Sequence, residues 1–261
     1  MDDLTGTFLA WCAAERLPGN TIAARTRTLR ALGNPATATR EDVEAWWQTR
    51  ADLAPATRAN DLANLRAFYK WARRWEHRDD DPTLRLDSPK VPNGLPRPVS
   101  RADLHKLLAA LPDDHRRAVC LGAYAGLRIS EVARLDWRDV DTEMNVIRVI
   151  DSKGSKSRAV AVSPILLDHL LPETGGNVVA AGGPPQSPAT LQRKVNRAIR
   201  GAGVDATFHQ LRHRFGTMAL AATSNLLAVS RAMGHASPAT TAIYAATSDS
   251  DLDVIADAVT R

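Results

Sequence analysis

The sequence predicts a mainly α-helical protein with a small antiparallel sheet, arranged as two domains. Three observations carry this. Apolar residues recur at helical spacing through residues 1–88, a proline-rich stretch follows at 89–98, and two short β-like runs flank a basic turn in the remainder, 99–261.

In the first domain, Leu4, Phe8, Trp11 and Cys12 share one helical face. Asn20 is the expected cap of a second helix that runs to Leu32 and stops at Gly33. Thr39, Val43, Trp46 and Trp47 mark a third helix. Leu62, Leu65, Phe68, Ala72 and Trp75 mark a longer fourth. The aromatic stripe reads as bundle core rather than a base-stacking surface. Pro89, Pro92, Pro96 and Pro98 then stiffen an interdomain linker.

Ser100 with Asp103 signals a new helix. Helical patterns cover about 100–111 and 114–125, then 188–201, 209–221, 225–233 and 238–246. Strands are expected at 145–151 and 157–163, joined by the turn Ser152-Lys153-Gly154-Ser155-Lys156. A last amphipathic piece carries Leu252, Ile255 and Val259.

The formal net charge is +5 and the pI about 9.5, which suits a polyanionic partner without requiring one. Residues 1–88 hold as many acidic as basic side chains, so the excess lies later. Even so, Arg58, Arg66, Lys70, Arg73 and Arg74 face only Asp61 between positions 58 and 74, a basic stripe in a neutral half. Cys12 and Cys120 stand in apolar surroundings without a Cys-x-x-Cys pair, which argues against a disulfide framework or zinc ribbon. No apolar run suggests a membrane span, and the acidic start does not read as a secretory signal. A cytoplasmic protein is the expectation.

Three groups carry candidate chemistry. Arg128 lies among Leu127, Ile129, Val132 and Leu135, and a cation there needs an anionic partner. That partner is either Glu131, on the same helical face, or a phosphate toward which Glu131 orients the guanidinium. His209 and Arg212 share a helix face with Leu211 turned inward, which places a proton-handling group beside a fixed cation. The alternative is a capping histidine and a surface arginine. His235 precedes a helix entry at Ser237-Pro238, and Tyr244 follows about two turns later. A tyrosine nucleophile needs cationic neighbours, because its pKa lies near 10. Taken singly, Tyr244 reads as a core or surface aromatic.

Together the pieces follow one order: Arg128, a hairpin lysine, His209-Gln-Leu-Arg212, His235 and Tyr244. The blocks Ala125-Gly-Leu-Arg-Ile-Ser-Glu131, His209-Gln-Leu-Arg-His213, Met233-Gly-His235 and Thr240-Thr-Ala-Ile-Tyr244 resemble the signatures of the tyrosine recombinases, or phage-type integrases. The resemblance covers the second domain. The first looks like the family's core-type DNA-binding domain, in a short form without an arm-binding domain.

The resemblance implies a clamp around double-stranded DNA and transesterification through a 3′-phosphotyrosyl intermediate, with no cofactor and no metal. It implies that Tyr244 is the nucleophile and that Arg128 and Arg212 hold the scissile phosphate. Lys153 would protonate the leaving 5′ oxygen, with Lys156 as the competing candidate. His209 would assist the nucleophile's proton, His235 would contact the phosphate, and Glu131 would orient Arg128. Arg58, Arg66, Lys70, Arg73 and Arg74 are the expected DNA contacts of the first domain. The implied function is site-specific recombination that integrates or excises a mobile element. The protein would be a monomer in free solution and a homotetramer on paired sites with inverted half-sites, with residues 249–261 docked on a neighbouring protomer. The alternatives are topoisomerase IB-like relaxation and a catalytically silent DNA-binding regulator.

Overall fold

In the computed structural model the chain is described over residues 3–92, 97–150, 157–171, 175–180 and 183–234. It divides into two compact units, Met1–Asn93 and Gly94–Arg261. It is mainly α, with one small antiparallel sheet.

The first unit holds α1 (Asp3–Ala14), α2 (Gly19–Leu32), α3 (Arg40–Gln48) and α4 (Pro55–Arg74). Thr39 opens α3 with reciprocal bonds to Asp42, which satisfy two otherwise orphaned N–H groups. The expected Asn20 cap is not made. Pro18, in extended conformation, leads directly into α2, and Asn20 lies inside the helix, where its side-chain oxygen accepts from the N–H of Thr21. Gly33 ends α2 at φ 100°. The aromatic stripe is core: Phe8, Phe68, Tyr69 and Trp71 are buried, with the Phe68 ring edge-on to Phe8 at 5.4 Å. Trp75 falls beyond the last turn of α4 and is exposed. Arg78 pins the loop after α2 by donating to the carbonyls of Pro35, Ala36 and Ala38 while lying over Tyr69.

The second unit runs through α5 (Arg101–Ala110), α6 (Asp113–Tyr124), α7 (Ile129–Val132), β1 (Val140–Asp141), β2 (Val146–Ile150), β3 (Ser157–Ala161), α8 (Pro164–Leu170), α9 (Pro188–Gly201), α10 (Phe208–Thr223) and α11 (Leu226–Met233). Ser100 caps α5 through Asp103, as its sequence signal predicts. The sheet order is β1-β2-β3, antiparallel throughout, with Ile147 opposite Val160 and Val149 opposite Arg158. Two elements have no counterpart in the sequence expectation. β1 is two residues long and α8 seven, too short to show a period. The core forms around α6, whose residues from Arg117 to Ala123 are all buried, with Leu127, Ile147, Val160, Leu166, Val195, Phe208 and Leu211 packed into the same cluster. Both cysteines are buried and free. No described helix is long and apolar enough to cross a membrane.

Candidate active site

The site is built where the turn between α6 and α7 meets α10 and the C-terminal end of α11. Gly126 makes that turn at φ 63°, and a Cβ on it would lie 2.4 Å from the Phe215 ring of α10. The chain therefore passes the helix closely before Leu127 buries and Arg128 caps α7. From the third position of α7, Glu131 accepts the backbone N–H of Arg128 at 2.7 Å and its Nη1 at 2.9 Å. The salt bridge to Glu131 is thus formed. Arg128 nevertheless keeps 39% of its side-chain surface exposed, whereas Glu131 keeps 6%.

A third group joins them that the sequence reading left out. Arg158 of β3 meets Glu131 in a two-pronged pair, Nη1 to Oε1 at 2.8 Å and Nη2 to Oε2 at 2.9 Å. Burial works against ionisation of Glu131, but the hydrogen bonds and charges of Arg158 and Arg128 outweigh it and hold the carboxyl below its ordinary pKa.

The three arginines converge on one helix end. The last carbonyls of a helix lack partners within it, and here each of three successive carbonyls accepts from a different guanidinium. Arg158 Nε donates to Ala232 at 2.8 Å, Arg212 Nη2 to Met233 at 2.7 Å and Arg128 Nη2 to Gly234. Arg212 also donates to the Gly126 carbonyl and is only 2% exposed. Gly234 takes the left-handed conformation, at φ 65°, that ends α11.

His209 opens the exposed side of α10, one turn before Arg212, and Leu211 is fully buried beneath. The helix is capped by Thr207 with Gln210, so capping is not the role of His209. Its ring meets His213 edge-on at 4.3 Å. Crowding of both rings by protein, and the Arg212 charge, lower both pKa values, that of His213 to about 4 with His209 contributing. Both imidazoles therefore favour the neutral form more than a free histidine does.

Lys153, Lys156, His235, Tyr244 and residues 249–261 lie outside the described residues. Among the described residues no group of three His, Cys, Asp or Glu side chains could hold a metal ion.

In the first unit, Arg66, Lys70, Arg73 and Arg74 are exposed along α4 and line one recess with Arg78 and Asp81. Arg58 stands apart from them: half-buried, it lies over the Trp47 ring at 4.5 Å.

Residues 99–251 match the family model described as the phage integrase family. The chain belongs to this family. XerD, a tyrosine recombinase of Xanthomonas axonopodis pv. citri, is 35% identical over 76% of this chain and 74% of its own. The tyrosine recombinase XerC 2 of Ralstonia nicotianae is 32% identical over 96% of this chain and 76% of its own, a span that includes the first unit. The Tn1549 transposon integrase, solved in complex with transposon right-end DNA, shares the fold at a TM-score of 0.76 with 18% identity, covering 99% of each chain.

This tyrosine recombinase is thus a DNA breaking-and-rejoining enzyme. Its family blocks account for Arg128 and Arg212 but gave no notice of Arg158. A signal was present in the strand alternation. Arg158 falls in phase with Val160 and Val162, both buried, and out of phase with exposed Ser157, Ala159 and Ala161. A cation on the inward face of a strand calls for a buried anion.

Proposed function

We propose that this recombinase exchanges DNA strands at specific sites through Tyr244. The Tyr244 oxygen attacks a backbone phosphorus, the bond from phosphorus to the 5′ oxygen breaks, and a 3′-phosphotyrosine forms. His209, whose lowered pKa favours the neutral ring, takes the phenol proton, and Lys153 gives a proton to the departing 5′ oxygen. Arg128, Arg212 and His235 offset the charge that gathers on the five-coordinate phosphate. The bond energy stays in the covalent link, and a 5′ hydroxyl from the partner strand reverses the step.

The observation that carries this reading is the pair of arginines fixed on adjacent carbonyls, Met233 and Gly234, immediately before His235 in the sequence. The two units are proposed to close on duplex DNA, each protomer on one half-site and four protomers on a pair of sites, with residues 249–261 reaching a neighbour. Integration or excision of a mobile element is the use proposed for the reaction, in keeping with the family whose model the chain matches.

The test is a nicked half-site that loses its 5′ product after cleavage. Wild type accumulates a covalent protein–DNA adduct, and Tyr244→Phe binds the half-site equally well but forms none. An adduct with Tyr244→Phe would overturn the assignment. Relaxation of supercoiled DNA that lacks any site, at the rate seen with one, would favour topoisomerase-like activity instead.

A further inference from the structure

We propose that Arg158 is a positioning residue for strand cleavage, holding Arg128 in place and in charge through Glu131 and tying β3 to the end of α11. The proposal rests on the reading that Arg128 contacts the scissile phosphate.

Geometry comes first. Arg158 is 15% exposed and Glu131 6%, and their pair is parallel and two-pronged, the arrangement that fixes orientation as well as distance. Both carboxylate oxygens are shared, Oε1 with Arg128 Nη1 and Oε2 with the Arg128 backbone N–H. Movement of Arg158 therefore moves Arg128. The third prong, Nε to the Ala232 carbonyl, ties β3 to the helix end from which the chain leaves for His235. Room for the guanidinium is kept by Gly234, where a Cβ would stand 2.6 Å from Arg158 Nη1. One side chain thus joins α7, β3 and the end of α11.

Charge comes second. With Glu131 ionised, Arg128 and Glu131 alone sum to zero, and a neutral pair attracts phosphate weakly. Adding Arg158 leaves the group one positive charge, carried on the exposed member, Arg128. The pair is not by itself evidence of a stabilising role, since buried ion pairs are often no more stabilising than apolar packing.

The experiment compares wild type, Arg158→Ala, Arg158→Lys and Arg128→Ala in single-turnover cleavage of two nicked half-sites. One carries the normal scissile phosphate and the other an uncharged methylphosphonate, which has less need of a cation. Half-site affinity and thermal unfolding are measured alongside. On the phosphate, Arg158→Ala slows cleavage by about tenfold, short of the roughly 100–1000-fold expected for losing a direct donor. Affinity, which rests on many phosphate contacts, stays near wild type, and Arg158→Lys recovers part of the rate. On the methylphosphonate the Arg158→Ala deficit shrinks toward wild type, as that of Arg128→Ala does. If the Arg158→Ala deficit is equal on both substrates while that of Arg128→Ala shrinks, Arg158 is structural only and the proposal is overturned. If the Arg128→Ala deficit does not shrink, the reading of Arg128 itself fails. Should Arg158→Ala not fold, the same comparison is made with Arg158→Lys.

Discussion

Arg128 and Arg212 donate to neighbouring carbonyls of one chain turn, Arg128 to Gly234 and Arg212 to Met233, although one caps α7 and the other lies in α10. Two guanidiniums side by side would repel. Here the negative end of α11 lies between them, and carbonyls that α11 itself cannot satisfy accept from both. The helix end thus serves as the template that spaces the two cations.

Arg212 is the deeper of the two, and its loss has two separable effects. Arg212→Ala leaves the Gly126 and Met233 carbonyls without their donor, at about 1–3 kcal/mol for each buried acceptor left unsatisfied. It should also slow cleavage by roughly 100–1000-fold. Arg212→Lys keeps the charge but cannot fork between the two carbonyls, so it restores neither in full. Urea unfolding and single-turnover cleavage measure the two effects. An unchanged unfolding midpoint in Arg212→Ala would contradict the buried geometry.

Gly234→Ala tests whether the turn must be glycine. The position has φ 65°, which costs a side chain about 1–2 kcal/mol. It also presses on Arg158, so cleavage should fall along with stability. Gly33→Ala is the control: at φ 100° it is strained too, but nothing lies within 4 Å of its Cβ and it is far in sequence from the site. It should lose stability and keep the cleavage rate of its folded fraction. Equal cleavage by both folded variants would show that the contact with Arg158 is without consequence.

Arg128 and Leu211 illustrate what the sequence made legible. An arginine in an apolar run needs an anion, and Glu131 three residues on supplies it. An apolar residue between His209 and Arg212 had to turn inward, and Leu211 does. The Ser100 cap was readable because the cap and its partner are local in the chain. Asn20 misled because a favourable cap residue stood one place inside a helix already started by Pro18. β1 and α8 were missed because neither is long enough to display a period. The Arg158–Glu131 pair spans strand to helix, and the convergence on residues 232–234 joins three distant segments. No local spacing encodes such contacts. Arg58 was grouped with its basic neighbours by proximity in sequence, whereas the tertiary fold sets it against Trp47.

The two lowered histidine pKa values fix the sign of a pH response. Below pH about 4, His213 binds a proton in the folded and the unfolded chain alike. Between about 4 and the ordinary value of 6.5, only the unfolded chain binds it, so stability rises with pH across that window. Above 6.5 neither form binds it, and the contribution is complete. His213→Asn should flatten this rise in urea unfolding measured at several pH values. The lowered pKa of His209 also keeps it a proton acceptor under mild acid, so the acid limb of the cleavage profile should fall below pH 6.5. A limb centred at or above 6.5 would count against His209 as that acceptor.

The last prediction separates the basic residues of the first unit. Among the described residues Lys70, Arg73 and Arg74 form no ion pair, and two nearby acids are engaged locally: Asp80 with Arg78, and Asp81 with the Thr83 N–H and hydroxyl. A neutral unit can therefore present a cationic face along α4. If that face holds DNA phosphates, Lys70→Ala and Arg73→Ala should each weaken half-site binding. Each should also lower the slope of log affinity against log salt by about 0.9, equally for cognate and unrelated DNA. Arg66→Ala should do the same and cost some stability, because Arg66 Nη2 also donates to the Leu86 carbonyl. Arg58→Ala should differ from all of these. It loses a contact over Trp47 worth about 0.5–1 kcal/mol of stability and leaves the salt slope where it was. Binding titrations from low to moderate salt give the slopes. A slope that falls for Arg58→Ala but not for Lys70→Ala would move the DNA-facing surface off the α4 run and onto the side of the unit that carries Trp47.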